Sequence, residues 1–549
     1  MTTNPSNMLQ RQTQLSLELL GVLSSFLLAV LVIAFFVHTP WPRGDDYRFH
    51  VSIWAETAGR IHHLDIPRWN AEQAFGLGEP TYLFYPPLSI YLGGLLTLLF
   101  GHYWAAPILC GIVMAVAALS MRLCASLWLD PTRSWIVSLL YSANPYFLLC
   151  CWIRGSYAEI LSAALFPLLI YFTSAESSRY RVIGCAFIFS LIWLSNLPSA
   201  VIISYAIAFY IAIKYFVDRD GSYAVHSAAG LCLGFGIAGF QILPSVIEMR
   251  FVQIDVAVHG FQLSNFFVLG GYKGLFRSLI FAFLVCLFLA GVARFTKQRG
   301  SLPIIALGLL SSLMVLRYSS PFWKLLPLLA NVQFPYRWLF VLAFVSYLVA
   351  GHLLPAHYRP PLGTGLVIAA FCVALAQCAG VAYWTASAKR LQVNRDSPAS
   401  PDVQLLVGEY LPKTADAEVV RSSNSDRTLA RTDVPVAVVN IRRWDPELRE
   451  LSISSDQPAH VTLRLLNYPG WIATVNGHPW PIETEPGTGR AQLRIEPGTS
   501  LAQFRFSRTT DRNAGLAVTF ISLALCAALA NWIRLKANGL TARVQSPCL

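Results

Sequence analysis

The chain has 549 residues, of which 55% are hydrophobic and 13% charged, and its mean hydropathy is +0.52. This composition excludes an ordinary soluble protein and is typical of a polytopic membrane protein. The net charge of +12 does not indicate a nucleic-acid partner, because the basic residues gather at the ends of apolar segments and in a polar C-terminal region, as in proteins that follow the positive-inside rule.

Twelve apolar segments approach or reach the roughly 20 residues that a membrane-spanning helix needs. They are predicted at 15–37, 104–124, 134–150, 160–174, 182–194, 200–213, 230–247, 275–293, 302–316, 336–354, 362–384 and 515–533. The segment 82–100 begins near two prolines and contains two adjacent glycines, and we interpret it as a half-inserted or interfacial helix. With that interpretation the basic loops lie on the same side as the N-terminus, which predicts about 12 spans with both termini in the cytoplasm.

The first outer loop, 38–103, contains the most polar stretch of the first 385 residues, which is 44–88. Asp45 and Asp46 follow a glycine and two prolines that should end the first helix. If a new helix begins there, Asp46 and His50 share one face, four residues apart. A carboxylate at the membrane edge can act as a general base toward a sugar or lipid hydroxyl. The alternative is that these carboxylates only cap a helix N-terminus.

Later in the same loop, Arg68 and Trp69 follow a proline, which sets a fixed cation beside an indole. Such a pair suits a phosphate or a sugar ring. It is equally typical of an anchor at the headgroup level of the membrane. His62 and His63 are adjacent, and adjacent histidines rarely bind one ion, so the sequence indicates no metal site here.

Two further outer segments carry charges beside apolar spans. Arg154 and Glu159 lie between two spans, and a charge at the bilayer centre costs roughly 2.5–3.5 kcal/mol, so they should face a cavity. Arg154 could bind a lipid phosphate, or the two could only pair with each other. Gln333 and Arg337 open a later span, where a cation opposes the helix dipole and an anionic ligand would offset that cost. Snorkelling of Arg337 to lipid headgroups is the alternative.

From 386 to 510 the composition becomes polar, and β-type patterns appear at 461–466, 471–475, 492–495 and 502–507. Asn476-Gly477 is a strong hairpin signal. We predict a small extracytoplasmic β-sandwich between a membrane domain at 1–385 and a final span with a cytoplasmic tail at 511–549. Most of the 11 cysteines lie in or at the ends of apolar segments, which predicts buried hydrophobic roles and neither a disulfide framework nor a metal site.

Short motifs in chain order resemble bacterial membrane proteins of the "6-pyruvoyl-tetrahydropterin synthase related" membrane domain and, more distantly, the YfhO-like proteins. Both are similar to the GT-C glycosyltransferases. The motifs are Asp46-x-x-Phe49-His50, Pro67-Arg68-Trp69, Gly76-x-Gly78-x-Pro80, Phe84-Tyr85-Pro86-Pro87-Leu88, Arg154-Gly155-x-x-x-Glu159, Phe334-Pro335-x-Arg337, Glu409-Tyr410-Leu411-Pro412 and Tyr468-Pro469-Gly470-Trp471. The pterin part of the name has no counterpart in this sequence, which shows no zinc-type histidine triad.

The resemblance implies an inverting GT-C-like enzyme of the bacterial inner membrane, acting at its outer face among membrane lipids. The donor would be a polyprenyl-phosphate-linked sugar, and the acceptor a glycan, lipid or protein. Asp46 is implied as the catalytic base, with Asp45 second. No cofactor is implied, and a divalent metal is left open but not indicated. The alternatives are a non-enzymatic transporter or assembly factor for lipid-linked glycans and a scaffold that only binds. The implied substrate-binding residues are His50, Arg68, Trp69, Tyr85, Arg154, Glu159, Gln333 and Arg337.

Overall fold

The computed structural model describes residues 5–37, 46–259, 267–268, 275–356, 358, 360–387 and 408–544. It confirms a mainly helical membrane protein with a β-domain near the C-terminus. The α-helices are Pro5–Val37 (α1), Tyr47–His62 (α2), Gln73–Gly76 (α3), Thr81–Phe84 (α4), Pro87–Phe100 (α5), His102–Ala125 (α6), Pro131–Ser142 (α7), Pro145–Leu148 (α8), Tyr157–Thr173 (α9), Ser178–Trp193 (α10), Leu197–Asp218 (α11), Gly221–Ile237 (α12), Gly239–Glu248 (α13), Ile254–His259 (α14), Leu275–Phe295 (α15), Ser301–Met314 (α16), Ser320–Leu325 (α17), Leu339–Ala350 (α18), Pro360–Ser387 (α19), Ala417–Ser422 (α20) and Thr510–Val544 (α21).

Each of the twelve predicted spans falls on a helix. In the described ranges, eight helical segments are long and apolar enough to cross a membrane, and two bent pairs bring the number to ten if each pair is one span. The first pair, α12 and α13, is bent by 67°. The second pair, α16 and the helical segment Arg317–Leu325 that contains α17, is bent by 94°. The other two predicted spans are α9 and α10, with 17 and 16 residues. The number of spans and the side on which each loop lies stay predictions.

Helix α5 occupies most of the segment that we interpreted as half-inserted. It has 14 residues, so it is about 21 Å long, whereas the hydrocarbon core is about 30 Å thick. Helix α5 packs closely against α2, because a Cβ atom at Gly93 would lie 2.1 Å from the Trp54 ring. The glycine therefore permits the contact that holds α2 in place.

The β-domain consists of two antiparallel sheets. Its strands are Ala430–Thr432 (β1), Val438–Asp445 (β2), Leu448–Ser455 (β3), Ala459–Leu466 (β4), Trp471–Val475 (β5), His478–Trp480 (β6), Glu483–Thr484 (β7), Arg490–Ile495 (β8) and Gly498–Phe506 (β9). The sheets have the orders β1-β4-β8-β7 and β2-β3-β9-β5-β6. Asn476 and Gly477 both have positive φ, as a type I′ turn requires, and join β5 to β6 as the sequence predicted.

The two sheets enclose one core, since Ile453 of β3 and Val461 of β4 are buried in the same hydrophobic cluster. The predicted β-sandwich is therefore present. Phe84 of the first loop belongs to that cluster as well. The backbone N–H of Leu466 donates to the carbonyl of Leu77 over 3.0 Å. The first loop is thus packed directly against the β-domain.

Candidate functional site

The connection between α8 and α9 brings Arg154 to the start of α2. It contains a π-helical segment, Leu149–Arg154, which ends at Gly155 with φ +68°. A Cβ atom at Gly155 would lie 2.7 Å from the Cβ atom of Tyr47, so a side chain here would push α2 away. Short π-helical segments are frequent at functional sites because they turn side chains out of the regular helical register.

Glu159 is the centre of the buried charges. Its carboxylate accepts from Arg154 Nη1 at 2.9 and 3.0 Å and from Arg337 Nε at 3.0 Å. The Tyr146 hydroxyl also donates to it. Glu159 is 1% exposed and lies in the first turn of α9, where a negative charge is favoured by the helix dipole. The predicted pair of Arg154 and Glu159 is present, and Arg337 joins it.

Arg337 lies in a 3₁₀ turn, Pro335–Trp338, that leads into α18. Its Nη1 donates to the Val332 carbonyl over 2.6 Å. The sequence suggested an anionic ligand to offset the position of this cation near a helix start, and in the structure the protein's own Glu159 carboxylate lies there. Arg337 is 6% exposed, so the snorkelling alternative is wrong.

Aromatic rings bring a third arginine to the group. The Tyr336 ring has Arg154 at 5.2 Å and Arg277 at 4.7 Å from its centroid, both within cation–π range. The Phe334 ring lies 4.7 Å from the guanidinium carbon of Arg337. We call Arg154, Arg277 and Arg337 the arginine cluster. Two of its members, Arg154 and Arg337, donate to the Glu159 carboxylate, and the third, Arg277, lies against the Tyr336 ring, so the cluster and that carboxylate together carry a positive charge.

Asp46 is attached to the same connection. Its Oδ2 accepts a hydrogen bond from the Ser156 hydroxyl over 2.6 Å, and Ser156 is two residues from Arg154. Asp46 occupies the N-cap position of α2, but its side chain makes no capping hydrogen bond. The capping alternative is therefore wrong for Asp46. The prediction for Asp45 lies outside the described residues.

His50 is fully buried one turn after Asp46 and packs against Trp54, Tyr85 and Tyr157, with ring centroids 5.2–5.7 Å away. Its Nε2 lies 3.3 Å from the Tyr85 hydroxyl. Burial lowers the pKa of His50 to about 4, although the Asp46 charge opposes the shift. Burial also raises the pKa of Tyr85 well above its usual value. Both groups are therefore neutral at pH 7 and support the start of α2.

Glu409 is a site residue that sequence reasoning did not select. Burial raises the pKa of its carboxyl, the Asp46 charge raises it further, and Arg337 opposes the rise. These electrostatic effects mean that Glu409 lies near both groups. Its neighbour Tyr410 stacks on Phe84 with ring centroids 5.6 Å apart. The only signal in the sequence was the resemblance motif Glu409-Tyr410-Leu411-Pro412.

Arg68 and Trp69 contact the β-domain. Arg68 Nε donates to Glu447 at the β2–β3 turn over 2.7 Å. Trp69 is fully buried against the rings of Trp471 and Phe506, at 5.6 and 5.3 Å. Their contacts hold the first loop to the β-domain, and their role in substrate binding stays a prediction. Gln333, with φ +67°, lies directly before Phe334 and is partly exposed.

The helices and the buried charges between them define a polytopic membrane protein with a polar centre where the first loop, α9 and α18 meet. The model of one family, described as "6-pyruvoyl-tetrahydropterin synthase related domain; membrane protein", matches residues 82–387. This match covers more than half of the chain, and the chain belongs to that family. A search of curated proteins gave no match.

Solved structures with similarity to this chain include the arabinofuranosyltransferase AftD from Mycobacteria, at 14% identity and a TM-score of 0.37, covering 67% of this chain and 27% of that one. The oligosaccharyltransferase of Archaeoglobus fulgidus in its apo form has 15% identity and a TM-score of 0.40, covering 67% and 56%. Its complex with an inhibitory peptide and a dolichol-phosphate has 13% identity and a TM-score of 0.35, covering 66% and 56%. The chain therefore spans about a quarter of AftD and just over half of the archaeal enzyme.

Proposed function

We propose that this protein is a GT-C-type glycosyltransferase that transfers a sugar from a polyprenyl-phosphate donor to an acceptor at the outer face of a bacterial inner membrane. The observation that carries the proposal is the hydrogen bond from Ser156 to Asp46. It joins a carboxylate that can take a proton to the connection that bears Arg154. An acid–base group and a cationic cluster are the two parts that such a transfer needs.

The arginine cluster would hold the phosphate of the donor. Guanidinium groups bind phosphate oxygens in a planar, often bidentate geometry. Arg154 and Arg337 both donate to Glu159 and retain further N–H groups for an anion, since a guanidinium has five. When the bond between the anomeric carbon and the phosphate oxygen breaks, the lipid phosphate gains negative charge, and the cluster would stabilise it.

Asp46 would act as the general base. It would take the proton of the acceptor hydroxyl as that oxygen attacks the anomeric carbon from the face opposite the leaving phosphate, which inverts the configuration. Ser156 would orient the carboxylate through its 2.6 Å hydrogen bond. His50 lies one turn along α2 and is neutral, so it would support the helix without competing for the proton.

The first loop and the β-domain would together cover the outer side of the site. Arg60 and Arg68 of the loop both donate to Glu447 of the β-domain, and Phe84 packs into the β-domain core. A glycan, lipid or protein acceptor would then reach Asp46 from the side of the β-domain, and the donor lipid would enter from the bilayer.

The test is release of polyprenyl phosphate by the full chain in proteoliposomes that contain a polyprenyl-phosphate-linked sugar and a panel of acceptors. The proposal predicts acceptor-dependent release of lipid phosphate, together with binding of the donor. Donor binding without release under every acceptor would contradict the enzyme and favour a transporter or a scaffold. Arg154→Gln should raise the KM for the donor at least tenfold. Arg421→Gln, at an exposed arginine of the β-domain's short helix α20, serves as the control for loss of a positive charge.

A further inference from the structure

A cavity lined mainly by charged side chains lies between α2 and the turn that joins β2 to β3. Its volume is about 570 Å³, within the range of roughly 300–1,000 Å³ that is usual for small-molecule sites. Glu56, Arg60 and Glu72 line one wall, and Arg443 and Asp445 line the other. Glu56 is ten residues from Asp46, about 15 Å along a helix, so this cavity is separate from the proposed catalytic site.

Arg60 is buried in the wall of this cavity and is only partly satisfied. It is 7% exposed. Its Nη2 donates to Glu447 over 2.7 Å, and its Nε lies 2.7 Å from Asp65 Oδ2. Its Nη1 is buried and has no hydrogen-bond partner in the part of the chain that the structure describes. A buried N–H group without a partner destabilises the folded protein, and does so more on a charged group.

Glu56 lies one helical turn before Arg60, on the same face of α2. Its Oε1 accepts from the backbone N–H of Ala71 over 3.0 Å. Its Oε2 is buried and has no hydrogen bond of standard geometry to a described residue. Burial raises the pKa of Glu56 to about 8, and the charge of Glu72 contributes to the rise, whereas the backbone N–H of Glu72 lies near the carboxyl and lowers its pKa slightly. The wall therefore presents an unpaired carboxyl oxygen beside an unpaired guanidinium donor.

These two groups restrict the chemistry of a ligand. Arg60 Nη1 needs an acceptor, and the Glu56 carboxyl holds a proton below about pH 8, so that it can donate there and accept above that pH. An ammonium ligand would oppose Arg60. A phosphate would satisfy Arg60 but would meet the carboxyl groups of Glu72 and Asp445. A hydroxyl group donates and accepts at once, and neighbouring hydroxyls can satisfy both side chains.

We propose that this cavity binds a sugar ring of an oligosaccharide through its hydroxyl groups. Binding of the oligosaccharide does not depend on the proposed function. The further step, that this oligosaccharide is the acceptor, rests on the proposed function and deepens it. Walls from both the first loop and the β-domain would then hold an acceptor glycan whose reacting end extends along α2 toward Asp46. The sugar would link the two parts of the protein that Glu447 already joins through Arg60 and Arg68.

The test begins with the labelled full chain in detergent on an array of bacterial cell-envelope oligosaccharides. The strongest hit is then measured in solution with three variants. Glu56→Leu should weaken binding at least tenfold, because it removes the carboxyl and narrows the cavity. Glu496→Leu, at a glutamate whose side chain is 61% exposed on the β-domain, should bind like the unmodified protein. Asp46→Asn should also retain binding, since it changes only the proposed catalytic base.

A diazirine derivative of the same oligosaccharide locates the site without any substitution. Crosslinks to peptides that contain Glu56 or Asp445 support the inference, and crosslinks confined to other regions overturn it. It is also overturned if no oligosaccharide on the array binds or if a folded Glu56→Leu variant binds unchanged. If Glu56→Leu does not fold, the crosslinked peptides alone decide. Sugar binding in the cavity without lipid-phosphate release would refute the proposed function but not the sugar site. Lipid-phosphate release without sugar binding in the cavity would refute the sugar site but not the proposed function.

Discussion

Replacement of Glu159 by glutamine should destabilise the protein strongly and make its stability depend on phosphate ligands. Glu159 Oε2 lies 2.9 Å from Arg154 Nη1 and 3.0 Å from Arg337 Nε. The two nitrogens are therefore no more than about 6 Å apart. At that distance and an effective dielectric constant of about 20, two unit charges repel by roughly 3 kcal/mol. Removing one member of a buried ion pair typically costs about 3–5 kcal/mol, which agrees with this value.

The assay is thermal unfolding of the full chain in detergent, with and without a short-chain polyprenyl phosphate. Glu159→Gln should lower Tm without the lipid, and the lipid should raise the Tm of the variant by more than it raises that of the unmodified protein. The added phosphate would replace the missing negative charge between the arginines. The double variant Arg154→Met/Glu159→Gln should be more stable than Glu159→Gln alone, because it removes the repulsion.

Glu18→Gln is the matched control. Among the described residues, Glu18 forms an ion pair with Arg122 only and accepts from the indole of Trp135 over 2.9 Å. Its loss leaves one unpaired guanidinium, so the destabilisation should be smaller and should not respond to polyprenyl phosphate. The reasoning is refuted if Glu159→Gln is as stable as the unmodified protein, or if the lipid stabilises the Glu18→Gln and Glu159→Gln variants equally.

Three other substitutions test the contacts around the site. Ser156→Ala removes the 2.6 Å hydrogen bond to Asp46. A hydrogen bond to a charged group contributes about 1.5–3 kcal/mol, so its loss should lower kcat roughly 10- to 150-fold with little change in KM. An unchanged kcat would contradict the role of Ser156 in orienting Asp46. Glu447→Ala leaves Arg60 and Arg68 of the first loop without their shared carboxylate. Limited proteolysis should therefore cut the first loop faster in this variant than in the unmodified protein. Equal cutting rates would contradict the claim that these ion pairs hold the loop to the β-domain. Because folding raises the pKa of Glu56 from 4.5 to about 8, the folded state holds an extra proton between these values and stability falls as pH rises through them. Glu56→Gln should match the unmodified protein near pH 4 and exceed its Tm above pH 8. Parallel Tm profiles would disprove this shift.

The sequence predicted those parts of the structure that depend on local patterns. Apolar runs gave the helices, and the hairpin signal at Asn476-Gly477 gave the β5–β6 turn. The spacing of Arg154 and Glu159 offered their ion pair as one of two alternatives, because the two residues are only five apart in the sequence. In each of these cases, residues close together in the sequence determine the backbone conformation or the burial of the side chains.

The rest of the site depends on contacts between distant parts of the chain. The bond from Arg337 to Glu159 spans 178 residues, and that from Ser156 to Asp46 spans 110. Periodicity contains no information on such pairings. The same limit applies to Arg68, because its partner Glu447 lies 379 residues away and nothing in the sequence indicated their contact.

The central claim is that Asp46 takes the proton of the acceptor. It is tested most directly by lipid-phosphate release in proteoliposomes, with Asp46→Asn compared with Asp220→Asn. Asp220 is a true helix cap, since its side chain accepts from the Tyr223 N–H over 3.0 Å. General base catalysis typically contributes about 10²–10⁴-fold, so Asp46→Asn should lower the rate of release by that factor while donor binding and Tm stay close to those of the unmodified protein. Asp220→Asn should keep its activity. Full release by Asp46→Asn would contradict the claim.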